Sequence, residues 1–213
     1  NGGASYTATA NTQLFAKWTA NTYTVEYYQG NNSTTAGTTK FATTSSHTYG
    51  TAKKLTTYAT LGGTAPSGWT FAGWATTQNG TTVAYTDGKS VSNLTSTANG
   101  TVKLYAVFSK NINVYSGSNK ATNNKQTQYY NPYKTDVSTA ITLAAPTAID
   151  SWTTLGYRTD TTAGASAQAA GSVTPAYDTT PTYYAVYSRT ATFYSGSNKA
   201  KTDTATQYYT SNN

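Results

Sequence analysis

The sequence predicts a mainly β protein of tandem repeats with little helix; an α+β architecture is the alternative. Three observations carry this. One strand-like segment occurs three times, as Leu14-Phe15-Ala16-Lys17-Trp18, Leu104-Tyr105-Ala106-Val107-Phe108 and Tyr183-Tyr184-Ala185-Val186-Tyr187. A turn-like marker also occurs three times, as Tyr28-Gln29-Gly30-Asn31-Asn32, Tyr115-Ser116-Gly117-Ser118-Asn119 and Tyr194-Ser195-Gly196-Ser197-Asn198. Thr and Tyr, which favour strands, are abundant, and helix-forming runs are nearly absent.

The marker segments set the period. Tyr115 and Tyr194 lie 79 residues apart, as do Tyr129 and Tyr208. Tyr28 and Tyr115 lie 87 apart, so loops differ in length between fixed strands. A repeat of this size is large enough to be a small domain, unlike a short solenoid unit. The predicted organisation is the end of one repeat over 1–19, a complete unit over 20–108, a divergent unit over 109–188 and the start of another over 189–213. Each complete unit is expected to have its own core and few contacts with the other. The chain starts in mid-repeat, which predicts a fragment or processed product.

Each element has a local reason. In the closing segments, Leu104, Ala106 and Phe108 alternate with Tyr105 and Val107. Leu14, Ala16 and Trp18 alternate likewise with Phe15 and Lys17. The central Ala, Ala106 or Ala185, suggests close packing against a bulky ring. The opening strand Tyr23 to Tyr28 places Val25 and Tyr27 on one face. Ile112 with Val114, and Ala191 with Phe193, repeat that pattern, the signature of a half-buried strand. Lys53 to Thr60 reads as a strand around Leu55 and Tyr58. Trp69-Thr70-Phe71-Ala72-Gly73-Trp74 reads as the central strand, with Gly73 where another segment approaches closely. Trp152 to Tyr157, containing Gly156, takes its place in the second unit. Ala140 to Ala144 replaces Lys54 to Tyr58. Gln78-Asn79-Gly80 and Asn99-Gly100 read as turns. A single helical turn is expected around Ser92 to Thr95.

Composition narrows the chemistry. Charged residues are 10% of the chain, while 20 Tyr, 5 Phe and 4 Trp supply the area to bury, which excludes a disordered polymer. There is no Cys, so disulfides, thiol catalysis and zinc–thiolate sites are excluded. The net charge is +7, but the lysines are scattered and only Lys53 and Lys54 are adjacent. That pattern reads as solvated surface rather than a nucleic-acid face. No apolar run reaches membrane-spanning length.

The order Tyr23-Thr24-Val25-Glu26-Tyr27-Tyr28, Tyr49-Gly50, Trp69 to Trp74, Asp87-Gly88-Lys89-Ser90-Val91-Ser92-Asn93-Leu94-Thr95 and Leu104 to Phe108 resembles the Listeria–Bacteroides repeat. This is the B-repeat of internalin-type bacterial surface proteins. The resemblance covers 20–108 and, diluted, 110–188, where Leu155-Gly156-Tyr157 stands for Phe-x-Gly-Trp and the Asp87 to Ser90 segment has no counterpart. It implies a small β-grasp-like domain, strung in tandem on exported proteins beside adhesive domains, with no catalytic residues to carry over.

The remaining chemistry is sparse. His47 is the one histidine and Glu26 the one glutamate, and the Asp residues are scattered. No catalytic pair, metal-site spacing or phosphate loop is legible, so no catalytic residue, metal or cofactor is assigned. A buried Lys–Asn cross-link would need a neighbouring acid, and acids are scarce. The core candidates are Val25, Tyr27, Trp69, Phe71, Gly73, Trp74, Leu104, Ala106, Phe108, Ile112, Val114, Trp152, Gly156, Tyr157 and Ala185. Tyr130 and Tyr209, each one of a tyrosine pair, are candidate glycan contacts.

The expected function is a non-enzymatic extracellular repeat region of a bacterial cell-surface or cell-wall protein, acting as stalk or adhesion module. A host or neighbouring-cell surface protein or glycan is the expected partner, with no nucleic acid and no membrane insertion. One alternative is a filament segment completed by strand exchange, in which the strand at 14–18 pairs beside that at 191–195 of another copy. The other is a carbohydrate-binding module. In an isolated fragment both ends are expected to fray.

Overall fold

The computed structural model describes residues 5, 7, 9–11, 13, 15–29, 40–133 and 136–212. The expectations for Leu14 and for the turn at Gly30-Asn31-Asn32 lie outside the described residues.

The first unit begins with β1 (Thr22–Tyr28), whose Tyr23, Val25 and Tyr27 are buried and whose Thr24 and Glu26 are half-buried. This is the predicted alternation. β2 (Ser45–Thr48) pairs antiparallel with β1. β3 (Lys53–Lys54) is shorter than predicted. The chain turns over residues 58–62, where the amide of Tyr58 donates to Asp87 Oδ1 at 2.8 Å, while Leu55 and Tyr58 still enter the core. β4 (Thr70–Ala75) is the Trp-rich strand, and β5 (Ser90–Val91) pairs with β3. Residues 92–95 are irregular rather than helical: Asn93 sits at φ 55°, and its side-chain oxygen accepts from the amide of Gly50. Both predicted turns are present, with Asn79 and Asn99 at positive φ.

β6 (Gly100–Ile112) is the axis of the first sheet. Its early residues pair parallel with β1, Tyr23 opposite Gly100 through Tyr28 opposite Tyr105. Tyr105 through Ser109 pair antiparallel with β4 on the other edge. The strand then runs through position 109 into the second unit, as β7 (Val114–Ser116) follows after one residue. A one-turn 3₁₀ segment at Ser118–Lys120 leads to β8 (Thr122–Asn123) and β9 (Gln126–Asn131). β9 pairs antiparallel with Phe108 to Ile112 of β6. One edge of β6 is thus shared in succession by a strand from each unit.

The second unit continues with β10 (Val137–Ser138), β11 (Ile141–Leu143), β12 (Thr153–Arg158) and β13 (Gly171–Val173). β14 (Tyr183–Ser195) repeats the role of β6, and β15 (Lys201–Thr210) that of β8 and β9 together. β14 pairs parallel with β7, antiparallel with β12 and antiparallel with β15. Thus the mainly β architecture is what the structure shows. Helix among the described residues amounts to two single turns, the second at Ser197–Lys199.

The two Trp/Tyr-rich strands share a device. β4 bulges between Phe71 and Gly73 against β6, and β12 bulges between Thr154 and Gly156 against β14. Gly73 (φ 146°) and Gly156 (φ 133°) sit at these bulges. A Cβ at Gly73 would lie 2.5 Å from the carbonyl oxygen of Tyr85. The next residue then bridges to that same passing segment: the amide of Trp74 donates to Tyr85 O, and that of Tyr157 to Gln168 O, each at 2.8 Å. The close approach predicted at Gly73 is real, and in the second unit Gln168 makes the same approach to Gly156.

Val25, Tyr27, Trp69, Trp74, Leu104, Ala106 and Phe108 are buried in one core, with Phe71 half-buried beside them. Ile112, Val114, Tyr157 and Ala185 are buried in a second, with Trp152 half-buried at its edge. Gly73 and Gly156 are buried at the bulges. Ala106 lies opposite Trp74 and Ala185 opposite Tyr157, so the small residue does face a bulky ring. The expectation of few contacts between units is overturned. Tyr130 and Tyr177 pack into the first core, and Tyr129 and Tyr133 join Tyr28, Tyr105 and Val107 on the opposite face of the sheet.

The two ends behave differently. Residues 15–20 are irregular and exposed, as expected of a loose end rather than of the closing strand read there, with Phe15 at 83% and Trp18 at 89% exposure. The C-terminal strand is not frayed. Arg189 through Ser195 pair with Lys201 through Gln207 of the same chain, so the strand-exchange pairing expected between 14–18 and 191–195 is replaced by an internal hairpin.

Candidate interaction site at the joint between units

The joint forms around Trp69, held at the entry to β4 by the turn Pro66–Trp69. Its ring is buried. Tyr130 of β9 packs on it with ring centroids 4.9 Å apart. Tyr177 stacks on Tyr130 at 5.3 Å and 8°. Lys110, from the part of β6 that enters the second unit, places its ammonium 4.2 Å from the Trp69 ring centre. The indole N–H of Trp69 donates to Tyr177 O at 3.0 Å, and Lys110 Nζ donates to the same carbonyl at 2.9 Å. Lys110 also donates to the carbonyls of Ala176 and Thr179. One loop of the second unit is therefore clamped to one tryptophan of the first.

The charge on Lys110 is unusual for its place. Only 7% of the residue is exposed, and burial pushes its pKa below the ordinary lysine value, with Asp178 opposing that shift. A buried ammonium is tolerable where carbonyls and an aromatic face replace its water. The Tyr130 hydroxyl donates to Asp136 Oδ1. Burial, and then that carboxylate, push the Tyr130 pKa well above the ordinary phenol value. On the other face, Asn131 Nδ2 donates to Gly80 O at 2.7 Å, and Tyr133 packs edge-on to Tyr28 and Tyr105.

The arrangement repeats in the second unit, with the cation and tyrosine 79 residues on and the tryptophan 83. Arg189 lies 4.5 Å from the Trp152 ring centre, where Lys110 lies over Trp69. Tyr209 packs on Trp152 at 5.6 Å, where Tyr130 packs on Trp69. Compared with family models, with curated proteins and with solved structures, the chain finds no match. The joint is therefore defined by internal repetition alone: a tryptophan of one unit meets a cation and a tyrosine from the hairpin that opens the next.

These contacts correct the glycan assignment. Tyr130 is 1% exposed, and Tyr209 is half-buried against Trp152 and Tyr187. Their neighbours Tyr129 and Tyr208 take the other face, as alternation requires. Sequence reasoning missed Lys110, Tyr177 and Tyr133. One signal was available: Lys110 and Arg189 are both cations, two residues before Ile112 and Ala191 on the core-facing side of their strands.

His47 holds a different place. Its Nε2 lies 3.0 Å from Ser45 Oγ, which lies 3.0 Å from the Tyr27 oxygen, and its ring stacks on Tyr23. It is 1% exposed. Burial, and then Lys53, hold its pKa below the ordinary imidazole value. The folded state favours the neutral ring, and the unfolded chain binds the proton more readily. This stability is present above the unfolded pKa of about 6.5 and is lost as pH falls through the lower folded value. Gln128 occupies the matching place opposite Lys110. His47→Gln is expected to flatten the loss of stability between about pH 7 and 5, read from urea midpoints. An unchanged slope would place the acid sensitivity elsewhere.

A shallow cleft of about 220 Å³ is lined by Tyr157, Arg158, Asp160 and Gln168 among others, but Arg158 and Asp160 pair with each other at 2.8 Å. Among the described residues, no three His, Asp or Glu side chains gather as metal ligands. No helix there is long and apolar enough to cross a membrane.

Proposed function

We propose that this chain is a non-enzymatic repeat region of a bacterial cell-surface protein, acting as a stalk or adhesion module whose units are joined stiffly by shared strands. The observation that carries this reading is the joint. A flexible string of beads has linkers with few contacts across them. Here a single strand passes from one sheet into the next unit, with aromatic packing on both sides of it. The resemblance to the Listeria–Bacteroides repeat supports the extracellular setting, and the clamp supports the mechanical one. Burial of Tyr130 weighs against the carbohydrate-module alternative.

The test is to loosen the clamp. Lys110→Met keeps the apolar stem and removes the charge from Trp69. A desolvated cation on an aromatic face contributes about 1–2 kcal/mol. The parent chain is expected to unfold in urea as one transition and to scatter X-rays as one rigid particle. The variant is expected to unfold in two steps and to scatter as two hinged bodies. If the parent itself already behaves as two hinged bodies, the stiff-stalk reading fails. Labelling of intact cells with an antibody to the chain tests the surface location: signal only after lysis would exclude it.

A further inference from the structure

We propose that the C-terminal hairpin, β14 from Arg189 onward with β15, is a docking ribbon for one further β-unit of the kind formed by residues 132–188. The inference rests on the repeat-array reading above. It assigns a partner to a surface that no contact within the described chain covers.

The internal hairpin shows what such a ribbon does. Residues 110–131 form the same hairpin one repeat earlier, and it serves two sheets at once. Its base pairs with itself as β6 and β9, in the first sheet. Its tip, β7 and β8, belongs to the second, where Val114 and Tyr115 pair parallel with Tyr183 and Tyr184. Ile112 and Val114 on this hairpin are fully buried by the unit that follows. At the tip, Tyr115 stacks on Tyr184 at 5.8 Å, with Lys120 Nζ 5.7 Å from the centre of each ring. The amide of Gly117 donates to the Tyr187 hydroxyl at 2.8 Å.

The C-terminal hairpin has the same parts, and no described residue takes the receiver's place on it. Tyr194 pairs with Thr202 and Ser195 with Lys201, the same register as Tyr115 with Asn123 and Ser116 with Thr122. The turn geometry repeats, with Gly196 at φ 80° where Gly117 is at 75°, and Asn198 at 53° where Asn119 is at 49°. Phe193, in the place of Val114, is 55% exposed, as is Tyr194, in the place of Tyr115. Lys199 already lies over Tyr194, 4.8 Å from its centre, as one half of the Tyr–Lys–Tyr arrangement.

Alternation gives the ribbon two unlike faces. One carries Ala191, Phe193 and Ala205, with Asp203 opposite Phe193; the other carries Thr190, Thr192, Thr204 and Thr206. An exposed ribbon with an apolar cluster on one face is a template for strand addition. The details name the occupant. It brings a closing strand of the Tyr-Tyr-Ala-Val-Tyr type to run parallel to Phe193–Ser195. The second tyrosine of that strand stacks on Tyr194, as Tyr184 does on Tyr115, and its last tyrosine accepts the amide of Gly196. The occupant has no opening hairpin of its own, because this ribbon supplies it. Asn113 and Asn123, bonded through their side chains at 3.0 Å where the inner strand is interrupted, are Thr192 and Thr202 in the outer one. The outer hairpin pairs without interruption from Val186 to Ser195.

The test extends the chain. Residues 1–210 are followed directly by the sequence of residues 132–211, which restores the 79-residue spacing. Amide hydrogen exchange is measured in the parent and extended chains. The appended unit is expected to fold, and exchange at Thr192–Ser195 to slow at least about tenfold, as for any amides removed from an exposed edge. Phe193→Asp in the extended chain is expected to abolish both effects while residues 22–187 exchange as before. The proposal is overturned if the appended segment stays unfolded on the intact ribbon. It is equally overturned if that segment folds while 192–195 exchange as in the parent, or if Phe193→Asp changes nothing. None of these results bears on the Lys110 clamp, so the stiff-stalk reading stands or falls by its own experiment.

Discussion

Trp74→Ala is expected to destabilise the first unit by about 3–5 kcal/mol, the usual cost of truncating a buried large aromatic. The ring is fully buried and meets Tyr27 and Phe71 at centroid distances of 5.0 Å, with Tyr58 at 6.2 Å. Removing it empties the centre of the aromatic core while its backbone still bridges to Ala84 and Tyr85. The cavity cannot be filled cheaply, because those neighbours are rings fixed on three separate segments. Urea unfolding followed by far-ultraviolet circular dichroism measures the loss. Trp18→Ala, at a position 89% exposed, is the matched control and is expected to change stability by less than about 0.5 kcal/mol. An unshifted midpoint for Trp74→Ala, with loss of a glycan-binding activity, would reverse the assignment of this ring to the core.

Gly73→Ala is expected to rank beside it, although it adds one methyl group. The backbone at φ 146° strains any side chain, at about 1–3 kcal/mol. The methyl would also lie 2.5 Å from Tyr85 O and 2.6 Å from Val83 Cγ1. Overpacking of this kind costs a further 1–3 kcal/mol, roughly. Gly50→Ala separates the two contributions, since Gly50 also has positive φ (81°) but faces open space. A Gly73 variant no less stable than the Gly50 variant would remove the close approach as its reason.

Much of the first unit was legible because alternation and a repeated glycine act locally. Gly73 and Gly156 precede a large ring in both copies, and both mark the bulge. Ala106 and Ala185 are small because a ring lies opposite, and the triple recurrence of that alanine pointed there. The joint was not legible, for a physical reason. Whether Tyr129 or Tyr130 faces inward depends on the register of β9 against β6, and a shift of one residue exchanges them. The burial of Lys110 depends on a loop more than sixty residues further along, whose carbonyls no sequence pattern announces. The expected independence of the units failed at the same point. A repeat counted along the chain and a sheet assembled in space begin at different residues.

The parallel pairing of β1 with β6 has a mechanical consequence. Tension drawn along the chain enters β1 at Thr22 and leaves β6 near Ile112. Two parallel neighbours pulled from opposite ends slide lengthwise, so their rungs bear the load together rather than peeling one at a time. In the first unit that ladder spans six residue pairs, Tyr23–Gly100 to Tyr28–Tyr105; in the second it spans two, Tyr183–Val114 and Tyr184–Tyr115. On the proposed stalk reading, the second unit is expected to yield and lengthen under stretch while the first still holds.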